Sequence, residues 1–391
     1  MNTGRAQRDF AADSARGMPA NPAALMRNAV SLEGWSPLWT GLARVGGLLE
    51  PAPPPEKDPW ALLRQPDQGP PGRALCPTSR RMVAEGPRFD CKVSPGGYAW
   101  WYIDATSADG AYGLTLIAFV GSVFSPYYKL SGRHSPDNHC AINVSLNGPR
   151  GSVWAMTERT ARQVDRAKRH FSVGPSAMRW DGETLVIDIA EVSAPLPYKV
   201  RGTIRVSPEM INTTAFALDP AGRHRWHPVA PRAHVEVAMT DPDLSWSGAG
   251  YFDSNFGDEA LEDGFTDWHW SRAHLRDDVA VLYEGLRRDG TPFDLALRMD
   301  RAGNWHDVDQ PASARLPRSG WMIKRVTRAD AGFTPRVVKT WVDAPFYARS
   351  KLSTRLFGET VDAVHESLSL ARFRSPLVQG MLPFRMPRAI W

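Results

Sequence analysis

From about Pro87 onward the chain is written in short stretches of alternating apolar and polar residues. Turns containing Gly, Asp or Asn separate them, and a 3.6-residue apolar repeat is scarce. This grammar predicts antiparallel sandwiches or barrels with few helices. Tyr98 to Asp104, a Ser107-Ala108-Asp109-Gly110 turn and the apolar run Ala111 to Phe124 read as a hairpin. Ala141 to Asn147, Leu185 to Ile189, Tyr198 to Val206, Val279 to Gly285, Phe293 to Met299, Arg336 to Val342 and His365 to Phe373 each read as strands. The best helical candidate is Met156 to Phe171.

A chain of 391 residues can bury two cores, and the strand count fits two units joined near residues 230–245. The expected division is 1–77, 78–235 and 236–391. The first segment differs from the rest, with nine prolines between Pro51 and Pro77, and reads as an extended, partly disordered arm. Within it, Trp35-Ser36-Pro37-Leu38-Trp39-Thr40-Gly41-Leu42 could form a short amphipathic helix, docked on the body or on a bilayer.

The net charge of +5 is spread along the chain, and no Lys/Arg run tracks phosphates, which argues against nucleic acid as a partner. Three cysteines without C-x-x-C spacing argue against a disulfide framework or a thiolate zinc site and suggest a reducing compartment. No apolar run reaches membrane-spanning length, and the N-terminus lacks the core of a secretory signal. No phosphate loop, nucleophile elbow or dinucleotide fingerprint occurs, so no cofactor is expected. His224, His227 and Asp253 could be read as metal ligands, but neither histidine sits on a strong helix and no cysteine joins them, so no metal is expected.

Fifteen tryptophans are many, and they suggest an aromatic-lined cavity. Asp253 lies in Tyr251-Phe252-Asp253-Ser254-Asn255-Phe256-Gly257, a carboxyl held between rings. An acid so placed can protonate a carbon–carbon double bond, and ring faces can stabilise the resulting carbocation. The bland alternative is an Asx turn. Alternation puts Trp268 and Trp270 on one strand face with His269 opposite, and Trp100 and Tyr102 on one face with Trp101 opposite. These four residues are the candidate substrate wall.

Several longer motifs point the same way. Tyr98-Ala99-Trp100-Trp101-Tyr102-Ile103-Asp104, Phe119 to Tyr128, Asn138 to Val144, Trp154 to Arg159, Trp226-His227-Pro228 and Gly250 to Gly257 together resemble the bacterial carotenoid 1,2-hydratases, or hydroxyneurosporene synthases. The resemblance covers roughly residues 85–375 and leaves the arm outside. It implies two lipocalin-like β-domains and a cofactor-free hydro-lyase that adds water across the terminal C1=C2 bond of acyclic carotenoids such as neurosporene and lycopene. It also implies the tertiary alcohols of the spheroidene and spirilloxanthin routes of purple photosynthetic bacteria. On this reading Asp253 is the proton donor, Tyr251 and Trp226 offer ring faces to the cation, and His224 orients Asp253 or water. The partners are then an acyclic carotenoid, water and a membrane surface, contacted peripherally on the cytoplasmic side. A non-catalytic carrier of apolar ligands is the competing reading, because a fold does not fix a function.

Overall fold

The computed structural model describes residues 86–389. The Pro-rich arm, its Trp/Leu segment and Cys76 lie outside the described residues.

Twelve strands come first: β1 (Tyr98–Ser107), β2 (Gly113–Val120), β3 (Cys140–Gly148), β4 (Gly151–Arg159), β5 (Val164–Ala167), β6 (His170–Val173), β7 (Ser176–Trp180), β8 (Leu185–Val192), β9 (Lys199–Pro208), β10 (Phe216–Ala217), β11 (His224–Asp241) and β12 (Leu244–Gly257). Ten follow: β13 (Phe265–His274), β14 (Val279–Arg287), β15 (Pro292–Met299), β16 (Trp305–Asp307), β17 (Ala312–Leu316), β18 (Arg325–Ala329), β19 (Arg336–Ala344), β20 (Tyr347–Leu356), β21 (Glu359–Ser369) and β22 (Arg388–Ala389). The first sheet runs β22-β4-β3-β2-β1-β12-β11-β9-β8-β7-β6-β5, with β10 added on β11. It curls into a half-barrel, so that β4 comes to lie against β8. The second runs β16-β15-β14-β13-β21-β20-β19, and the β17–β18 ribbon packs against it. The fold is mainly β and lipocalin-like, as the strand grammar and the resemblance imply.

Most strand readings hold, including the β1–β2 hairpin, in which Trp101 faces Ala118. Others need correction. Met156 to Phe171 is not helical: β4 continues to Arg159, and after a single 3-10 turn the chain forms the β5–β6 hairpin. There Asp165 and Ala167 are exposed while Phe171 and Val173 are buried, a two-residue period hidden among charges. The strand read through Phe373 stops at Ser369, whose hydroxyl accepts from the Arg372 amide and caps the short helix Leu370–Phe373. The change of sheet falls between Gly257 and Phe265; residues 230–245 lie in β11 and its hairpin to β12. Among the described residues, Cys140 is a buried free thiol.

Both faces of β1 and of the second half of β12 are covered, which is why neither sequence alternates cleanly. Phe252, Phe256 and Trp101 point into the core of the first sheet. Tyr251, Trp100 and Tyr102 point the other way, into a second core shared with Trp268, Trp270 and Tyr283 of the other sheet. Two prolines in β11, Pro228 and Pro231, cannot donate to the ladder, and the register slips on either side of Ala230. Trp226 therefore faces the inter-sheet core, whereas Val229 and Val235 face the half-barrel core.

Candidate active site

Asp253 sits on β12 with its side chain directed into the inter-sheet core, and it is 5% exposed. Its Oδ2 accepts two hydrogen bonds, from Trp226 Nε1 and from the Tyr251 hydroxyl, each at 2.9 Å. Its Oδ1 is buried with no hydrogen-bond partner. Burial holds the carboxyl well above the ordinary carboxylate range. The two donors oppose that shift, and the nearby Glu366 and Asp104 reinforce it. Burial thus favours the protonated form more than it would for an exposed carboxyl. With Oδ2 engaged as a double acceptor, Oδ1 is the oxygen whose hydrogen-bonding capacity is unused.

The cage is aromatic. Tyr251 packs on Trp270 with centroids 5.1 Å apart and meets Tyr102 edge-on at 6.3 Å. Tyr102 meets Trp270 at 5.6 Å. On the other side Tyr283 stands edge-on to Trp226 at 5.6 Å and to Trp268 at 5.5 Å, and Asn255 hydrogen-bonds the Tyr283 hydroxyl. Trp100 joins the wall through Trp268 at 6.2 Å. The structure thus gathers seven of the eight sequence-predicted site residues: Asp253, Trp226, Tyr251, Trp100, Tyr102, Trp268 and Trp270.

His224 is the exception. Opposite Gly257 in the β11–β12 ladder, it lies four positions from Asp253 along β12, roughly 13 Å of strand. Its Nδ1 shares a 2.9 Å hydrogen bond with the Tyr98 hydroxyl, and its Nε2 a 3.1 Å one with Glu259. That contact holds the Glu259 carboxyl below its usual range. Of the two roles read for it, orienting Asp253 or orienting water, direct contact with Asp253 is not what the structure shows; His224 hydrogen-bonds Tyr98, which stacks on Trp100 at 4.9 Å. A Cβ added at Gly264 would stand 2.3 Å from His224 Nε2, so only glycine admits the ring there. His227 points away and bonds the Asn212 carbonyl, its imidazole pushed down to about 4 by burial. Among the described residues, no cluster of three His, Cys, Asp or Glu side chains could hold a metal ion.

Sequence reasoning missed a buried ionic network beside the cage. Arg272 grips Asp104 with its Nε at 3.0 Å and with Nη2, bridging the two sheets. Arg349 Nη1 bonds the Tyr102 hydroxyl and Glu366 Oε1, the latter at 2.8 Å. Tyr102 in turn donates to Glu366 at 2.7 Å. The available signal was a charge in an apolar register: Val364 and Leu368 are core residues of β21, and Glu366 sits between them on the same face.

The carotenoid hydratase CrtC family matches residues 116–391. The chain belongs to this carotenoid hydratase family. The acyclic carotenoid 1,2-hydratase of Thiocapsa roseopersicina is 48% identical over 365 residues, which is 91% of this chain and 90% of the relative. That of Rubrivivax gelatinosus is 46% identical over 309 residues, 77% of this chain and 76% of its own length. That of Cereibacter sphaeroides is 43% identical and is covered over 98% of its length. At the level of fold, this CrtC-family chain is similar to a solved Nitrosomonas europaea protein described as AttH, with 13% identity, a TM-score of 0.51, and 73% of this chain and 99% of that one covered.

Proposed function

We propose that this CrtC-family chain is an acyclic carotenoid 1,2-hydratase in which Asp253 protonates C2 of the terminal double bond and water captures the tertiary cation at C1. The observation that carries the reading is a buried carboxyl, pushed up from the ordinary carboxylate range by burial, with one oxygen held by two donors and the other buried without a partner. Acyclic polyenes such as neurosporene and lycopene supply a trisubstituted terminal alkene, and protonation at C2 places the charge on the tertiary carbon. As the proton leaves Oδ1, negative charge grows on Oδ2, where Trp226 and Tyr251 already donate. Trp270 and Tyr102 pack beside Tyr251, and their faces suit a developing cation. Water adds to C1, and the proton it sheds returns to the Asp253 carboxylate, which closes the cycle. The addition is redox-neutral and needs no electron carrier.

Incubating the protein with lycopene in detergent and separating the products tests this directly. A hydroxylated product is expected. A bound polyene with a shifted absorption band and no new product would favour the carrier, which has no use for an acid in the cage.

Trp226→Phe and Tyr251→Phe should each lower kcat roughly ten- to a hundredfold with little change in KM, because each removes one hydrogen bond to a carboxylate that exists only late in proton transfer. A matching rise in KM with kcat intact would assign these rings to substrate binding instead.

An acyclic carotenoid dissolves in lipid rather than water, so the reading sets the reaction at a bilayer surface, contacted peripherally on its cytoplasmic side. Among the described residues no helix is long and apolar enough to cross a membrane.

A further inference from the structure

The last acidic residue of the chain is Glu366; residues 367–391 carry Arg372, Arg374, Arg385 and Arg388 and no Asp or Glu. Within this basic tract the helix Pro376–Met381 continues into the 3-10 turn Leu382–Phe384. One side of the segment is core: Val378, Leu382 and Met386 are buried in the same inter-sheet cluster as Tyr251 and Trp226. The other side is exposed yet apolar. Leu377 is 47% and Phe384 72% exposed, and Pro376, Gly380 and Pro383 lie open beside them.

A second element frames this face. The helix Pro126–Leu130 presents Leu130 at 85% exposure, with Lys129 Nζ 5.8 Å from the Phe373 ring. The acids nearby do not cancel the positive field. Glu158 and Glu262 are buried in pairs with Arg388 and Arg133, and Asp263 is held by Arg374 at 2.9 Å.

We propose that this face, built on Leu377, Phe384 and Leu130, is the surface by which the protein docks on an anionic lipid bilayer. Apolar side chains that enter the headgroup boundary, ringed by cations and free of opposing carboxylates in the segment itself, are what such a surface requires. Six cations, Lys129, Arg133, Arg372, Arg374, Arg385 and Arg388, stand here against three acids, Glu158, Glu262 and Asp263, so the rim is net cationic and complements an anionic headgroup layer rather than a second copy of itself. The face also leads to the cage. From Phe373 the rings step through Phe124 at 5.6 Å, Phe119 at 6.2 Å and Trp100 at 6.3 Å, then to Trp268 beside Tyr283. The segment thus packs on the same aromatic core that holds Asp253. The docking surface rests on the hydratase reading only for the reason the protein would need a bilayer.

Flotation with vesicles of phosphatidylcholine, with and without phosphatidylglycerol, tests the surface. The full chain should float with the anionic vesicles, less with neutral ones, and less as salt is raised. Leu377→Glu/Phe384→Glu should lower the bound fraction about tenfold, since both changes set a charge in the boundary layer. Both sites are open to solvent, so the unfolding temperature should stay unchanged. Should the variant misfold, hydrogen exchange on the wild type decides: vesicles should protect residues 374–385. A wild type that does not float, a folded variant that floats equally well, or protection that appears without lipid and grows with protein concentration would each overturn the proposal. Activity on detergent-dispersed lycopene keeps the two ideas apart. Loss there in both proteins sinks the hydratase reading and leaves flotation to stand alone. Hydration retained in detergent but lost on vesicle-borne substrate only in the variant supports both.

Discussion

Asp253→Asn should lower carotenoid hydration by about 10³-fold or more, the upper part of the range for a positioned general acid. The amide keeps the shape, and its oxygen can still accept from Trp226 and Tyr251, but it cannot give a proton to carbon. Stability should move the opposite way. The carboxyl is held above its ordinary range in the folded state, chiefly by burial. Such a group binds its proton more tightly folded than unfolded. Its contribution is full below about pH 4, where the unfolded chain is also protonated, and is lost as pH rises through the folded value. Asparagine does not titrate. The variant and the wild type should therefore unfold at similar temperatures near pH 4, and the variant should be the more stable at pH 7. Thermal scans across that range, paired with product analysis, check both halves. A variant that keeps a tenth of wild-type turnover would remove Asp253 from the acid's role.

Arg349→Met should destabilise the fold by about 3–5 kcal/mol, the usual consequence of removing one partner from a buried ion pair. Arg349 is 1% exposed and its guanidinium serves Tyr102 and Glu366, 4.0 Å short of Asp104. Methionine fills much of the space and leaves Glu366 without its buried cation, held only by neutral donors such as Tyr102. Asp104 remains gripped by Arg272. The double change Arg349→Met/Glu366→Gln should recover a good part of the loss, because it removes the stranded charge as well. Denaturant unfolding of both variants measures this. If the double variant were no more stable than the single one, the network would act through packing on Tyr102 and Trp341 rather than through charge.

What was legible in the sequence follows from which contacts are local. The β1–β2 hairpin and the alternation of Trp268, His269 and Trp270 are properties of single strands, and they stand as read. Asp253, Trp226 and Tyr251 could be grouped because β11 and β12 are sequential neighbours, so short spacing and ladder partnership coincide. His224 shows the converse: it is close in sequence to Trp226, yet two residues of strand give it Tyr98 and Glu259 as partners rather than Asp253. The β5–β6 edge escaped because charged residues on its open face imitate a solvated helix. Arg349, Glu366 and Tyr283 belong to the other sheet, and no periodicity specifies the register between two sheets. Only a polar residue in an apolar column, as with Glu366, hinted at them.

The source of the added atoms tests the central claim most directly. With lycopene in heavy water, one deuterium should appear at C2 of the hydrated end, delivered through Asp253. In ¹⁸O-labelled water the heavy oxygen should appear at C1. Oxygen arriving from O2 instead, or deuterium at C1 with the hydroxyl at C2, would contradict protonation by a buried acid followed by capture of a tertiary cation.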